Sequence, residues 1–161
     1  SATHLNTLHP ITPTKLCKKM QSGAAWTGYH AYYDPSYPPR GPFHPELTED
    51  ERRNSPMYGV FPNLVVGMAT NFTLFMCLRP DGPEHVKIRW GVTGLEDAPE
   101  SEKVRSYVDL CRAFNVEDKE KLEALQIALK SRTYHGGPLA PDDFEGTIRD
   151  FISYIARHLG A

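Results

Sequence analysis

Apolar and polar positions along this chain follow two successive regimes. From Tyr58 to Val92 the apolar runs are short and strand-like: Tyr58 to Phe61, Asn63 to Ala69 and Phe72 to Leu78 are rich in apolar and β-branched residues. The pair Asp81-Gly82 then separates the third run from Val86, Ile88, Trp90 and Val92, which alternate with His85, Lys87 and Arg89. A period of two turns one side of a strand toward a core and the other toward solvent, and Asp-Gly supplies a tight turn, so this stretch predicts a hairpin within an antiparallel sheet. After Gly94 the period changes. Val104, Tyr107, Val108 and Cys111 recur at helical spacing, as do Leu122, Leu125 and Leu129, and then Ile148, Phe151, Ile152, Ile155 and Leu159, which predicts three helices. Strands first and helices later is an α+β order, with helices packed on one side of the sheet. Upstream, the Tyr-, Pro- and Gly-rich stretch from Gly23 to Pro56 predicts one short strand near Tyr29 to Tyr33 and otherwise an ordered, functional loop.

Composition narrows the function classes. A chain of 161 residues is one domain's worth, and the expectation is a single unit over residues 1–161. A net charge of -2 removes the basic excess that a nucleic-acid or anionic-membrane binder would carry. No apolar run approaches the roughly 20 residues of a membrane span, and the first residues do not read as a signal peptide, so a cytoplasmic location is expected. Cys17, Cys77 and Cys111 are far apart and form no CxxC pair, which leaves them as buried small hydrophobes. Asn71-Phe72-Thr73 fits a glycosylation pattern but falls inside an apparent strand, where coincidence is favoured. His85 and His158 are expected at exposed positions, and His30, His44 and His135 are scattered.

Chemistry enters with the opening Ser-Ala-Thr-His-Leu-Asn-Thr-Leu-His-Pro, which sets His4 and His9 five residues apart. On one continuous helix such residues point about 140° apart, so they could share an ion only if the helix ends between them. Pro10 gives a reason for that ending, because the residue before a proline is pushed out of the helical region. Asp118, Leu122, Leu125 and Leu129 fall at i, i+4, i+7 and i+11, placing this carboxylate on an apolar stripe. Two imidazoles and one carboxylate on one side of an iron leave positions open for dioxygen and substrate. The ordinary alternatives are two solvated terminal histidines and an acid at a helix N-terminus favoured by the dipole.

Two separated blocks carry a resemblance. His4-Leu-Asn-Thr-Leu-His9 resembles the His-x-x-x-x-His iron motif of the catalytic domains of Rieske non-haem iron oxygenases. Asp118-x-x-x-x-Glu123-x-x-Gln126, followed by Ser131-Arg-Thr-Tyr134-His-Gly-Gly137-Pro138-Leu139 and Phe144-Glu145, is similar to that family's third-ligand helix and trailing segment. The order of the blocks matches, and the 109 residues from His9 to Asp118 are in the range such domains show.

The resemblance implies a mononuclear Fe(II) held by His4, His9 and Asp118, in a helix-grip (START-like) fold with an antiparallel sheet against a long C-terminal helix. It implies oxygenation at that iron, by hydroxylation or oxidative demethylation of a small aromatic substrate. Electrons would come from NAD(P)H through a reductase or ferredoxin and a two-iron two-sulfur Rieske cluster in the same or a neighbouring subunit of a homotrimer. Glu123 and Gln126 would support the ligand helix, and Tyr32, Tyr33, Phe72, Phe75, Trp90 and Val92 are candidates to line the substrate pocket. Two departures stand out. Ser1 occupies the place where the family has an acid three residues before its first iron histidine, and the Cys-x-His and Cys-x-x-His pairs of a Rieske cluster are missing. The expectation is therefore a fragment of a longer α subunit, unable to receive electrons by itself. Two other readings stay open: a non-catalytic helix-grip domain binding an apolar small molecule, and a zinc hydrolase using the same three ligands.

Overall fold

The computed structural model describes residues 14–36, 43–94 and 101–160. Its six strands are β1 (Thr14–Lys19), β2 (Trp26–Tyr33), β3 (Asn54–Val60), β4 (Leu64–Met68), β5 (Phe72–Pro80) and β6 (Val86–Gly94). Each pairs antiparallel with its neighbour in sequence, so the sheet is a meander in chain order. Two helices follow, α1 (Glu102–Ala128) and α2 (Asp142–Leu159). Among the described residues no helix is long and apolar enough to cross a membrane.

The expected strands β4, β5 and β6 stand where the pattern put them, with Gly82 at φ 87° in the turn between the last two. Three readings change. The apolar residues at 104–111 and 122–129 belong to one helix of 27 residues. No Gly or Pro interrupts its sequence, and the Ser101 hydroxyl accepts from the Val104 amide at 3.2 Å to start it. β1 was not anticipated, since Thr-Lys-Leu-Cys-Lys-Lys is too charged to read as core; it is an edge strand, where lysines guard against further pairing. β3 begins at Asn54, inside the stretch that reads as loop.

Strand register sorts the side chains. Lys19, Tyr29, Met57, Gly67, Leu74 and Val92 form one row across the sheet, on the same face as Thr27, Ala31, Val65, Phe72 and Trp90. Both helices lie on that face: α2 packs on β1 and β2, and α1 on β6. Tyr107 of α1 stacks on Phe72 with ring centroids 4.7 Å apart, and Lys130 just beyond α1 pairs with Glu84 in the β5–β6 turn at 2.9 Å, so α1 runs alongside that hairpin. Phe61 packs between Phe151 and Tyr154 of α2 at 5.4 and 5.2 Å. On the far face the Phe75 ring lies so close over Gly91 that a Cβ there would meet it at 2.6 Å.

The hold of α2 on the sheet is electrostatic as much as apolar. The Lys19 ammonium sits 3.2 Å from the carboxylates of both Asp142 and Asp150, and Thr27 Oγ1 donates to Asp150 at 2.6 Å. Burial pushes the Asp150 carboxyl up, but hydrogen bonds from Thr27, Lys19 and Ser22 together outweigh it and leave it below the ordinary carboxylate range. Burial pulls Lys19 down, while the two aspartates more than restore it and raise it above its ordinary value. A lowered acid contributes stability above its unfolded pKa and loses it as pH falls; a raised base contributes below its unfolded pKa and loses it as pH rises. The clamp is thus complete between about pH 5 and 9 and fails on both sides. Asp150→Asn should lower the thermal midpoint at neutral pH by several degrees, consistent with about 1–3 kcal/mol for a charge-assisted hydrogen-bond network. The gap to the wild type should shrink as pH falls through the lowered titration range of this carboxyl, followed by circular dichroism; a gap constant with pH would refute the linkage.

Candidate metal centre and ligand cavity

Val104, Cys111 and Asp118 are seven residues apart on α1, a spacing that drifts only about 20° per step, so they make one stripe. Val104 and Cys111 are buried, Cys111 at 2 % exposure, and Asp118 is half-buried at the end of that stripe. Its inward direction therefore follows from the residues before it. The leucines after it, argued from sequence to mark the core side, do not face a core: Leu122, Leu125 and Leu129 are 57, 59 and 47 % exposed. Helix and hairpin are pinned at this end by the Lys130–Glu84 ion pair, while Val86 and Ile88 opposite are also exposed. Because α1 is continuous, Asp118 lies deep within the helix, which removes the alternative of an acid favoured by an N-terminal dipole.

Asp118 acts on the sheet across from it. Burial, then the fields of Cys17 and Asp118, push the Tyr29 phenol up to about 12. Tyr29 is thus a neutral donor at any physiological pH, and its hydroxyl donates to the Met57 sulfur at 2.9 Å, a weak acceptor. Between β2, β3, β4 and α2 lies a cavity of about 270 Å³, lined by Thr27, Tyr29, Met57 and Val65 from the sheet and Thr147, Ile148 and Phe151 from α2. No charged side chain lines it. One turn before Asp118, the Asn115 Nδ2 is buried with no hydrogen-bond acceptor.

The expected site residues are distributed as follows. His4 and His9 lie outside the described residues, and among those described no three His, Cys, Asp or Glu side chains gather as a metal would need. Tyr33, Phe72, Trp90 and Val92 are on the helix-covered face; Tyr32 and Phe75 are on the other. Tyr33 bonds the Ser55 hydroxyl, Tyr32 lies beside His30 at 5.7 Å, and none of the six lines the cavity described above. Glu123 pairs with Lys119 of its own helix at 2.6 Å and is exposed, while Gln126 is half-buried. Tyr29 is the residue that sequence reasoning missed. The alternation Thr27, Tyr29, Ala31 in β2 already put it on one face with a buried threonine and a buried alanine. Of the cysteines, Cys111 is buried, Cys17 intermediate, and Cys77 exposed, contrary to its expected burial.

An antiparallel sheet gripped by a C-terminal helix over an apolar cavity is the architecture of Rieske oxygenase catalytic domains. The quaternary ammonium Rieske monooxygenase CntA, solved with an inhibitor, superposes with TM-score 0.74 at 18 % identity, over 98 % of this chain and 43 % of that one. Naphthalene 1,2-dioxygenase from Rhodococcus sp., bound to indole, superposes with TM-score 0.64 at 17 % identity, over 98 % of this chain and 50 % of that one. This chain thus spans about half the length of those solved chains. Residues 3–161 match the ring hydroxylating alpha subunit catalytic domain, and the chain belongs to that family. No curated protein matches the sequence.

Proposed function

We propose that this chain is the iron-holding catalytic domain of an oxygenase that hydroxylates or oxidatively demethylates a small aromatic substrate, with His4, His9 and Asp118 holding Fe(II). The observation that carries the reading is Asp118, a half-buried carboxylate at the end of the α1 stripe that buries Val104 and Cys111, within a chain of this family. The donor set fits: two neutral imidazoles and one carboxylate suit ferrous iron and leave it open on one side. When bound, the iron supplies dioxygen activation, with electrons passed from NAD(P)H by a reductase or ferredoxin and a Rieske cluster of the same or a neighbouring subunit.

The chain's own residues do the rest. Thr27, Met57, Val65, Ile148 and Phe151 offer an apolar substrate body a place to lie, while α2, clamped to β1 and β2, fixes the wall opposite the sheet. A homotrimer and a cytoplasmic location belong to the same proposal. The test is anaerobic ferrous titration of the chain, followed by desalting and iron analysis. About one Fe(II) per chain is expected, with His4→Ala and His9→Ala each binding it more than about 100-fold more weakly. Equal retention by all three proteins would discard the ligand set. Tighter use of zinc with hydrolase activity and no oxygen consumption would favour the hydrolase reading.

A further inference from the structure

We propose that Tyr29 is a positioning residue that donates a hydrogen bond to the substrate, and that the cavity takes a neutral, largely apolar molecule carrying one hydrogen-bond acceptor, such as an aryl ketone or ether. The inference deepens the reading of the site and rests on the cavity being the place where substrate lies. Three observations carry it. Tyr29 lines the cavity from the middle of the sheet, in register with Met57 and two strands from β4. Its hydroxyl has a thioether as acceptor, and sulfur takes a hydrogen bond so weakly that a carbonyl or ether oxygen entering the cavity displaces it at little cost. The other lining residues are apolar or glycine apart from Thr27, Thr147 and Tyr58, and none carries a charge to hold an ion. Thr27 already donates to Asp150, whereas the Tyr29 phenol holds only a sulfur, so an uncharged ligand that offers an oxygen gains a full hydrogen bond there and one that offers none leaves the phenol on its weak partner.

A charged substrate end is disfavoured by the same walls, since an ion taken from water into neutral surroundings has nothing to offset its lost hydration. Met57 adapts to the displacement, being unbranched and free to turn aside once its sulfur is released.

The experiment compares two molecules of nearly equal shape, acetophenone and isopropylbenzene, which differ in having a carbonyl oxygen or a methyl group at the same place. Their binding to the full chain is measured by ligand-observed nuclear magnetic resonance, with wild type, Tyr29→Phe and Val65→Trp. Relative to isopropylbenzene, acetophenone should bind the wild type roughly five- to tenfold better than it binds Tyr29→Phe, the worth of one net hydrogen bond. Tyr29→Phe should hold isopropylbenzene as the wild type does and lose acetophenone, whose buried carbonyl is left without a donor, and Val65→Trp, which fills the cavity, should bind neither. A ratio of the two affinities that is the same in wild type and Tyr29→Phe, a wild type that binds neither, or binding that persists in Val65→Trp overturns the assignment. Iron titration of the same samples reports on the metal separately. Selectivity without iron retention would sink the oxygenase reading and leave Tyr29 standing, and iron retention without selectivity would do the reverse.

Discussion

On the proposed ligand set, Asp118→Ala should leave a folded chain that no longer retains ferrous iron. Removing a metal-binding carboxylate takes away both a donor atom and the negative charge that neutralises the cation, and even groups that merely orient ligands are worth 10- to 100-fold in metal affinity. A loss beyond about 100-fold is therefore expected for the ligand itself, measured as iron retained per chain after anaerobic loading. The fold should survive, because Asp118 is only half-buried and the packed part of α1 lies before it, at Val104 and Cys111. Far-ultraviolet circular dichroism would register any collapse. Were Asp118→Ala to keep iron as the wild type does, the third ligand would have to be sought elsewhere.

Cys111→Asp should be the most damaging single change to stability. Cys111 is the most buried side chain among the described residues, at 2 % exposure, and burial pushes its thiol up to about 11, so it stays neutral and inert. Aspartate is close to it in size but brings a charge with no partner into that spot. A cost of about 4 kcal/mol or more is expected, which for a chain of this length moves the thermal midpoint by at least roughly 10 °C. Thiol labelling offers a second readout. The exposed Cys77 should react with a thiol reagent in the folded wild type, while Cys111 should react only once α1 has left the sheet. A variant as stable as the wild type would show that the stripe of α1 is not the core it looks to be.

Much of this architecture was legible, and the failures have physical causes. Alternation located β4, β5 and β6 because one side of each is apolar and the turns carry Gly and Asp. It failed for β1, whose lysines read as loop, and it found only the second half of β3, at Tyr58 to Val60, because the residues from Asn54 to Pro56 read as loop; neighbouring strands supply the hydrogen bonds that composition does not predict. Helical spacing found both α-helices but read the first as two, since Asn115 and Asp118 interrupt its apolar stripe between Phe114 and Leu122 without breaking the helix. Asp118 was selected for a stripe that continues into Leu122 and Leu125, whereas burial lies with Val104 and Cys111. Periodicity says which residues share a side and not how far along a helix that side is covered. The cavity wall was misjudged for a similar reason: large aromatics drew notice at Phe72 and Trp90, while the alternation Thr27, Tyr29, Ala31 gives Tyr29 its face but not its register opposite Met57.

The placement of α2 has a consequence for how the chain assembles. Every strand pairs with the one next to it in sequence, so the sheet can zip up locally and early. The Lys19–Asp150 clamp, by contrast, joins groups 131 positions apart and closes only when the last helix comes down on the first strand. During synthesis the ribosome releases the floor of the cavity long before its wall, and the apolar patch of Met57 and Val65 has to wait, uncovered, for the eighteen residues of α2.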